Sequence, residues 1–230
     1  MVEPRLLAIE TSSEACSVAL RIGGDTLEHF ELAPLMHAER LLPAVRALLA
    51  EAGIGLSGLD AIAFGRGPGS FTSLRIGIGV VQGLAWGAGL PVVPVSSLAA
   101  LAQAAAEQAP PPAERIRVAV DARMQEVFSG DFTLLADMLV RALGEERVCP
   151  PAALERPRAP FVAVGNGFAR FEELAAQGQA ALACFADLWP RAATVALLAA
   201  AWLRESEPLP PALAQPVYIR NQVAIKTPRA

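Results

Sequence analysis

The chain reads as an α/β protein made of two similar halves. Three observations predict this. Short apolar runs and helical apolar stripes alternate from end to end, the pattern of strands and helices packed in layers. A strand ending on an acid, then a turn and a second strand, occurs twice: at Leu7-Ala8-Ile9-Glu10 and again at Val118-Ala119-Val120-Asp121. Between the copies stands Pro110-Pro111-Pro112, which interrupts any regular element. The expected division is 1–109 and 113–230.

Leu6 to Glu10 reads as the first strand, with Thr11-Ser12-Ser13-Glu14 as a polar turn. Cys16 to Arg21 follows as a strand in which Cys16, Val18 and Leu20 alternate with Ser17, Ala19 and Arg21. Gly23-Gly24-Asp25 signals a hairpin into Thr26–Leu32. A helix over 36–52 carries the stripe Leu41, Val45, Leu48, Leu49 and Ala52. Pro43 inside it predicts either a start near Arg40 or a kink. Gly53 stops it.

The stretch from Ala61 to Pro91 organises the first half. Ala61–Phe64 reads as a buried strand, Gly65-Arg66-Gly67-Pro68-Gly69-Ser70 as a glycine-rich turn, and 72–88 as an apolar helix. Ser70 and Thr72 are candidate N-caps. Gly79, Gly83 and Gly87 recur every fourth residue and so share one helix face. Each internal glycine costs a helix roughly 0.5–1 kcal/mol relative to alanine, so this face suggests the close approach of another backbone. Residues 76–106 carry no charge and are long enough on paper to span a bilayer. Pro91, Pro94, five glycines and Gln82 break the run into helix, strand (91–95) and helix (96–107), and no membrane span is expected.

In the second half, Arg117–Asp121 and Gln125–Phe132 read as strands around the turn Ala122-Arg123-Met124. The stretch 133–143 is compatible with a helix or with two strands around Ala136-Asp137. A strand at Phe161–Val164, Gly165-Asn166-Gly167, and helices over 168–177 and 194–204 follow. Residues 207–215 read as a proline-rich linker, and the tail from Pro216 carries Arg220, Lys226 and Arg229 with no acid.

Composition narrows the function. The 230 residues are 53% apolar and 18% charged, enough to bury a substantial core. A net charge of −4 gives no global electrostatic case for nucleic-acid binding. Cys16, Cys149 and Cys184 are scattered without a C-x-x-C, so neither zinc nor a disulfide framework is indicated. The beginning MVEPRLLAIE lacks a signal-peptide pattern, and a cytoplasmic location is expected.

Motif chemistry is sparse. The turn at Gly65–Ser70 lacks the lysine of a Walker A loop. Its backbone N–H groups suit a phosphate, but a tight strand-to-helix turn is the favoured reading. Gly77-Ile78-Gly79-Val80-Val81-Gln82-Gly83 imitates a dinucleotide fingerprint, but it lies inside the helix with no strand directly before it, and it is rejected. Glu10, Thr11, Ser12, Ser13 and Asp121 either bracket a phosphate or a metal-bound water, or merely end two strands. His29 and His37 are the only histidines and lack the i, i+4 spacing of a helical metal pair. No serine, threonine or cysteine has a credible local partner for nucleophilic catalysis.

Several segments together resemble one family. They are LAIETSSEACSVAL near the start, His37 with Arg40-Leu41-Leu42-Pro43, and FGRGPGSFTSLRIGIGVVQGLA (Phe64–Ala85). VDARMQEVF (Val120–Phe128), Gly165-Asn166-Gly167 and PVYIRNQVA (Pro216–Ala224) complete the set. Over nearly its full length the chain resembles the TsaB (YeaZ) family of tRNA threonylcarbamoyladenosine biosynthesis. The resemblance implies an actin-like ATPase (ASKHA, RNase H-like) fold with two similar halves. It implies a non-catalytic scaffold that pairs with a TsaD-like catalytic subunit and a TsaE-like ATPase, meets tRNA only through that complex, forms a homodimer when alone, and needs no cofactor or metal.

In the family the first two helices form the surface for TsaD and for self-association. Here they correspond to about 36–52 and 71–88. The interface residues expected from them are His37, Leu41, Val45, Leu48, Leu49, Arg75, Ile76, Gly79, Val80, Gln82, Gly83, Trp86 and Gly87. A monomer is expected to expose Leu41, Val45, Ile76, Val80 and Trp86, a patch that marks association. A vestigial nucleotide cleft is expected from Glu10, Thr11, Ser12, Ser13, Gly67, Gly69, Ser70, Asp121, Gly165, Asn166 and Gly167. Two departures stand out: Ser73 where the family often has glycine, and a segment 133–157 that looks abbreviated. The rival readings are an actin-like nucleotide-binding ATPase and, more remotely, a peptidase.

Overall fold

The first half of the computed structural model, which describes residues 3–110 and 113–220, begins with an antiparallel meander of β1 (Leu6–Glu10), β2 (Ala15–Ile22) and β3 (Asp25–Leu32). Then come α1 (His37–Glu51), β4 (Ala61–Gly65), α2 (Phe71–Ala88), β5 (Val92–Val95) and α3 (Ser97–Ala106). The second half runs β6 (Arg115–Asp121), β7 (Val127–Leu134), β8 (Val140–Ala142), β9 (Arg147–Cys149), β10 (Val162–Val164), α4 (Gly167–Arg170), α5 (Glu172–Gln179), β11 (Ala183–Phe185) and α6 (Ala192–Trp202).

The two sheets repeat one another. The first has the order β3-β2-β1-β4-β5, and the second β8-β7-β6-β10-β11 with β9 also on β7. In each, the opening strand pairs antiparallel with the next one, β1 with β2 and β6 with β7, and parallel with a later one, β4 or β10. This duplicated meander with parallel crossovers is the actin-like fold. The repeat is unequal. Between β9 and β10, where the first half has α1, stands only a single 3₁₀ turn at Pro151–Ala153.

Each half lends its last helix to the other. α6 packs on β1, β2, β4 and β5, α3 packs on β6, β7, β8 and β10, and the two helices touch. One face of the first sheet is filled by Leu7, Ile9, Val18, Leu20, Ile62 and Phe64 under α1 and α2. The other face is made of Leu6, Ala8, Ala19, Ala61, Ala63 and Val93, against Ala192, Val195, Ala196 and Ala199 of α6. These small residues let helix and sheet approach closely. Burial of both faces is why β1 and β4 are apolar at nearly every position, and why Ser17 and Ala19 of β2 are buried as well.

α1 begins at His37 and not near Arg40, with Pro43 inside it on the exposed side. Residues 133–143 take the two-strand alternative, as the end of β7 and β8. The local structure departs from expectation in two further places. The helix expected over 168–177 is split by an extended Phe171 (φ −115°, ψ 127°) into α4 and α5. The proline-rich 207–215 is no linker: Leu209 pairs with Val92 at the edge of β5, and Ala214 is fully buried. The sheets separate at 110–113, but α6 and the strand-like segment after it return to the first half. No helix among the described residues is long and apolar enough to cross a membrane.

The helix exchange generates a prediction. A chain ending at residue 109 leaves the Leu6, Ala8, Ala63 and Val93 face without α6, and is expected to show no cooperative thermal transition by circular dichroism. A sharp transition in that fragment would show that α6 is dispensable to the first sheet.

Candidate functional site: the outer face of helix α2 and the interlobe cleft

The stripe on α1 belongs to the molecule's own core. Leu41, Val45 and Leu48 lie against β2, β4 and α2 and are buried, so a monomer does not expose them. This corrects their assignment to an outer interface: an amphipathic stripe reads alike whether it meets its own sheet or a partner. Leu49 is half-buried at the edge of the same core. His37 is also inside, its Nε2 3.1 Å from the Ala15 carbonyl oxygen. That contact ties the start of α1 to β2 and removes the ring from any outer surface.

α2 has two unlike faces. Leu74, Ile78, Val81 and Ala85 face the sheet. Gly77 is the glycine the fold requires, because a Cβ there would lie 2.1 Å from Thr11 Oγ1. Thr11 Oγ1 in turn donates to the Ser73 carbonyl at 3.0 Å. Opposite, Gly79, Gly83 and Gly87 face open space: a Cβ on any of them would meet nothing within 4 Å. The same helix exposes two large side chains, Trp86 at 70% and Phe71 at 52%. Ile76 and Val80 on it are half-buried. The helix closes at Gly89 in the left-handed conformation (φ 67°). At its start, Ser70 occupies the cap position without a side-chain cap bond; its hydroxyl meets that of Ser73 at 2.9 Å.

Two expected interface residues are held by the chain's own C-terminal segment. Gln82 Nε2 donates to the Ala214 carbonyl at 2.8 Å, and Arg75 Nε donates to the Tyr218 hydroxyl at 2.9 Å. Arg75 also lies over the Phe71 ring at 3.9 Å. The sequence reading missed Phe71 and Tyr218 as surface residues. Phe71 stood at the ragged start of a helix, and Tyr218 meets it only through the fold.

Of the expected cleft residues, Ser12 and Ser13 from the first half and Gly165 and Asn166 from the second line one pocket, with Pro68 and Trp189. Several of the others are engaged within their own half. Glu10 is fully buried; it accepts from the Ser12 N–H at 2.6 Å and from Ser97 Oγ at 2.8 Å. Gly67 N–H donates to the same Ser97 hydroxyl, and Ser70 N–H to the Ser12 carbonyl at 2.7 Å. A Cβ at Gly65 would strike the Glu10 carboxylate and one at Gly69 the Ser12 carbonyl. The glycines therefore let two turns interlock.

Asp121 is engaged by Arg123 at 3.3 Å and Arg170 at 3.2 Å, and its N–H donates to Asn166 Oδ1 at 2.8 Å. Gly165 and Gly167 are glycines because the Ala119 carbonyl passes beneath them. Among the described residues no group of three or more His, Cys, Asp or Glu could hold a metal ion. Burial pushes the Cys16 thiol up to about 11, with the Glu31 charge adding to it. Burial raises Cys149 and Cys184 too, so all three are poor nucleophiles.

The family model described as "TsaD: tRNA N6-adenosine threonylcarbamoyltransferase" matches residues 31–226. The chain is 38% identical to the tRNA threonylcarbamoyladenosine biosynthesis protein TsaB of Escherichia coli, over 96% of this chain and 97% of that protein. It is 39% identical to the TsaB of Haemophilus influenzae, over 96% and 95%. Its structure is similar to that of YeaZ from Pseudomonas aeruginosa, with a TM-score of 0.85 and 45% identity, covering 94% of this chain and 99% of that one.

Glu10 carries the prediction of this site. Desolvation raises its pKa above the ordinary 4.5, against hydrogen bonds from Ser12 and Ser97 that lower it. A carboxyl raised in the folded state contributes stability that is full below the unfolded pKa and is lost as pH rises through the folded one. Glu10→Gln is therefore expected to melt at or above the wild-type temperature at pH 8, with the gap closing toward pH 4. A gap that widens on acidification would show that the ionised carboxylate is stabilising.

Proposed function

The chain belongs to the TsaB family, and we propose that it serves tRNA threonylcarbamoyladenosine biosynthesis as a non-catalytic, cytoplasmic subunit. The outer face of α2, with the adjoining exposed edge of α1, receives a TsaD-like catalytic subunit, and a TsaE-like ATPase joins that assembly. tRNA meets the complex and not this chain alone. Without its partner the chain pairs with a second copy through the same face.

One observation carries this reading: three glycines line an open face of a helix that also exposes Phe71 and Trp86 and whose other face is packed into the core. A glycine floor admits another helix at short range, as side chains there would hold the backbones apart. Large aromatic residues on the same helix suit an interface centre. The match to the TsaD family model supports a related partner that presents corresponding helices. The engagement of both cleft acids, Glu10 and Asp121, by groups of the chain itself supports the absence of a catalytic role.

Gly83→Leu tests it. The open space around Gly83 means that the monomer should fold and melt at or above the wild-type temperature. Association with a TsaD-like subunit, and self-association, should weaken by about 1–3 kcal/mol, roughly 5- to 150-fold in Kd. Gly77→Ala should do the reverse, lowering the melting temperature through its clash with Thr11. Glu10→Ala and Asp121→Ala, in the cleft, should leave partner binding intact wherever the variants fold. Normal binding by a folded Gly83→Leu protein, measured by light scattering, would remove α2 from the interface.

A further inference from the structure

The segment after α6 joins two surfaces that the fold otherwise keeps apart. Leu209 and Val92 exchange backbone hydrogen bonds at 2.7 and 2.8 Å, and Val217 N–H donates to the Arg66 carbonyl at 2.8 Å. Tyr218 then lies 5.5 Å from the Phe71 ring, with its hydroxyl accepting from Arg75. Two residues on, Arg220 reaches the second half. Its Nη2 donates to the Ala122 carbonyl at 3.1 Å and to the Glu126 carboxylate, and its Nη1 lies 3.5 Å from Met124 Sδ.

The turn it grips, between β6 and β7, is unusual. Arg123, Met124 and Gln125 have φ of 62°, 54° and 59°, three successive left-handed residues, none of them glycine. L-residues disfavour this conformation, which rarely continues beyond one residue. Asp121 holds the turn from one side, accepting the Arg123 N–H at 2.9 Å. Arg220 holds it from the other.

We propose that Arg220 is a positioning residue that keeps the 122–126 turn left-handed, and that through Tyr218 the C-terminal strap couples this turn to the first turn of α2. Only Ile219 separates the two anchors, so there is little chain to absorb the release of either. The coupling is a property of the isolated chain and does not depend on which partner covers α2.

The test joins hydrogen exchange to a double-mutant cycle in the full chain. Arg220→Met should speed amide exchange at least tenfold in both 122–126 and 71–75, with β1 and β6 unchanged. Glu126→Gln, a milder change, should act in the same direction. Gln125 is exposed, and Gln125→Gly relieves the left-handed position without removing a contact to Arg220. Arg220→Met should therefore lower the melting temperature less in the Gln125→Gly background than in wild type. Exchange that rises at 122–126 alone would overturn the coupling. Additive effects in the cycle would overturn the positioning role, leaving Arg220 as an anchor of the tail only.

Discussion

The exchange of α3 and α6 between the halves is the constraint on which the rest of the structure depends. Each sheet presents a face that its own half cannot cover, and the other half's last helix covers it. The crossing helices are fixed at their N-termini by polar groups of the half they cross to or leave. Ser17 Oγ and Glu28 accept from the Ala192 and Ala193 N–H groups, and Arg191 pairs with Glu28 at 2.7 Å. Ser96 caps α3, and Ser97 next to it donates to Glu10. The buried acid of β1 is therefore also a fastening point of the helix that leaves for the second half.

This has a consequence for the cleft. In a fold whose two halves could grip a ligand between acid-tipped hairpins, each hairpin acid here is engaged by groups of its own half. Glu10 lies under Gly65, Ser12 under Gly69, and Asp121 between two arginines. The open glycine positions lie outside the cleft, at Gly79, Gly83 and Gly87, on the helix that also exposes Trp86.

Much of this was legible in the sequence, and the rest failed for physical reasons. The duplicated strand–acid device and the strand–turn–helix at the glycine-rich turn were local patterns with local causes, and they emerged as read; the three spaced glycines share one helix face, which is open within the chain. The leucine stripe of α1 was misassigned because periodicity reports that a face is buried and not what buries it. Gly77 passed unnoticed because its need for space comes from Thr11, 66 residues earlier in the chain. At 133–143 composition left a helix and two strands both open, and the edge of β7 decided for the strands. The strap looked like a linker because prolines fit an edge as well as a coil. Part of the basic tail, including Lys226 and Arg229, lies outside the described residues.

The central claim is that the open glycine face of α2 is where the TsaD-like subunit sits, and Trp86 reports on it directly. The chain has three tryptophans; replacing Trp189 and Trp202 by phenylalanine leaves Trp86, 70% exposed, as the sole indole emitter. Titration with a TsaD-like subunit should shift its emission to the blue and shield it from acrylamide, with the same midpoint as complex formation by light scattering. A complex that forms while the emission and quenching of Trp86 stay those of an exposed indole would contradict the account.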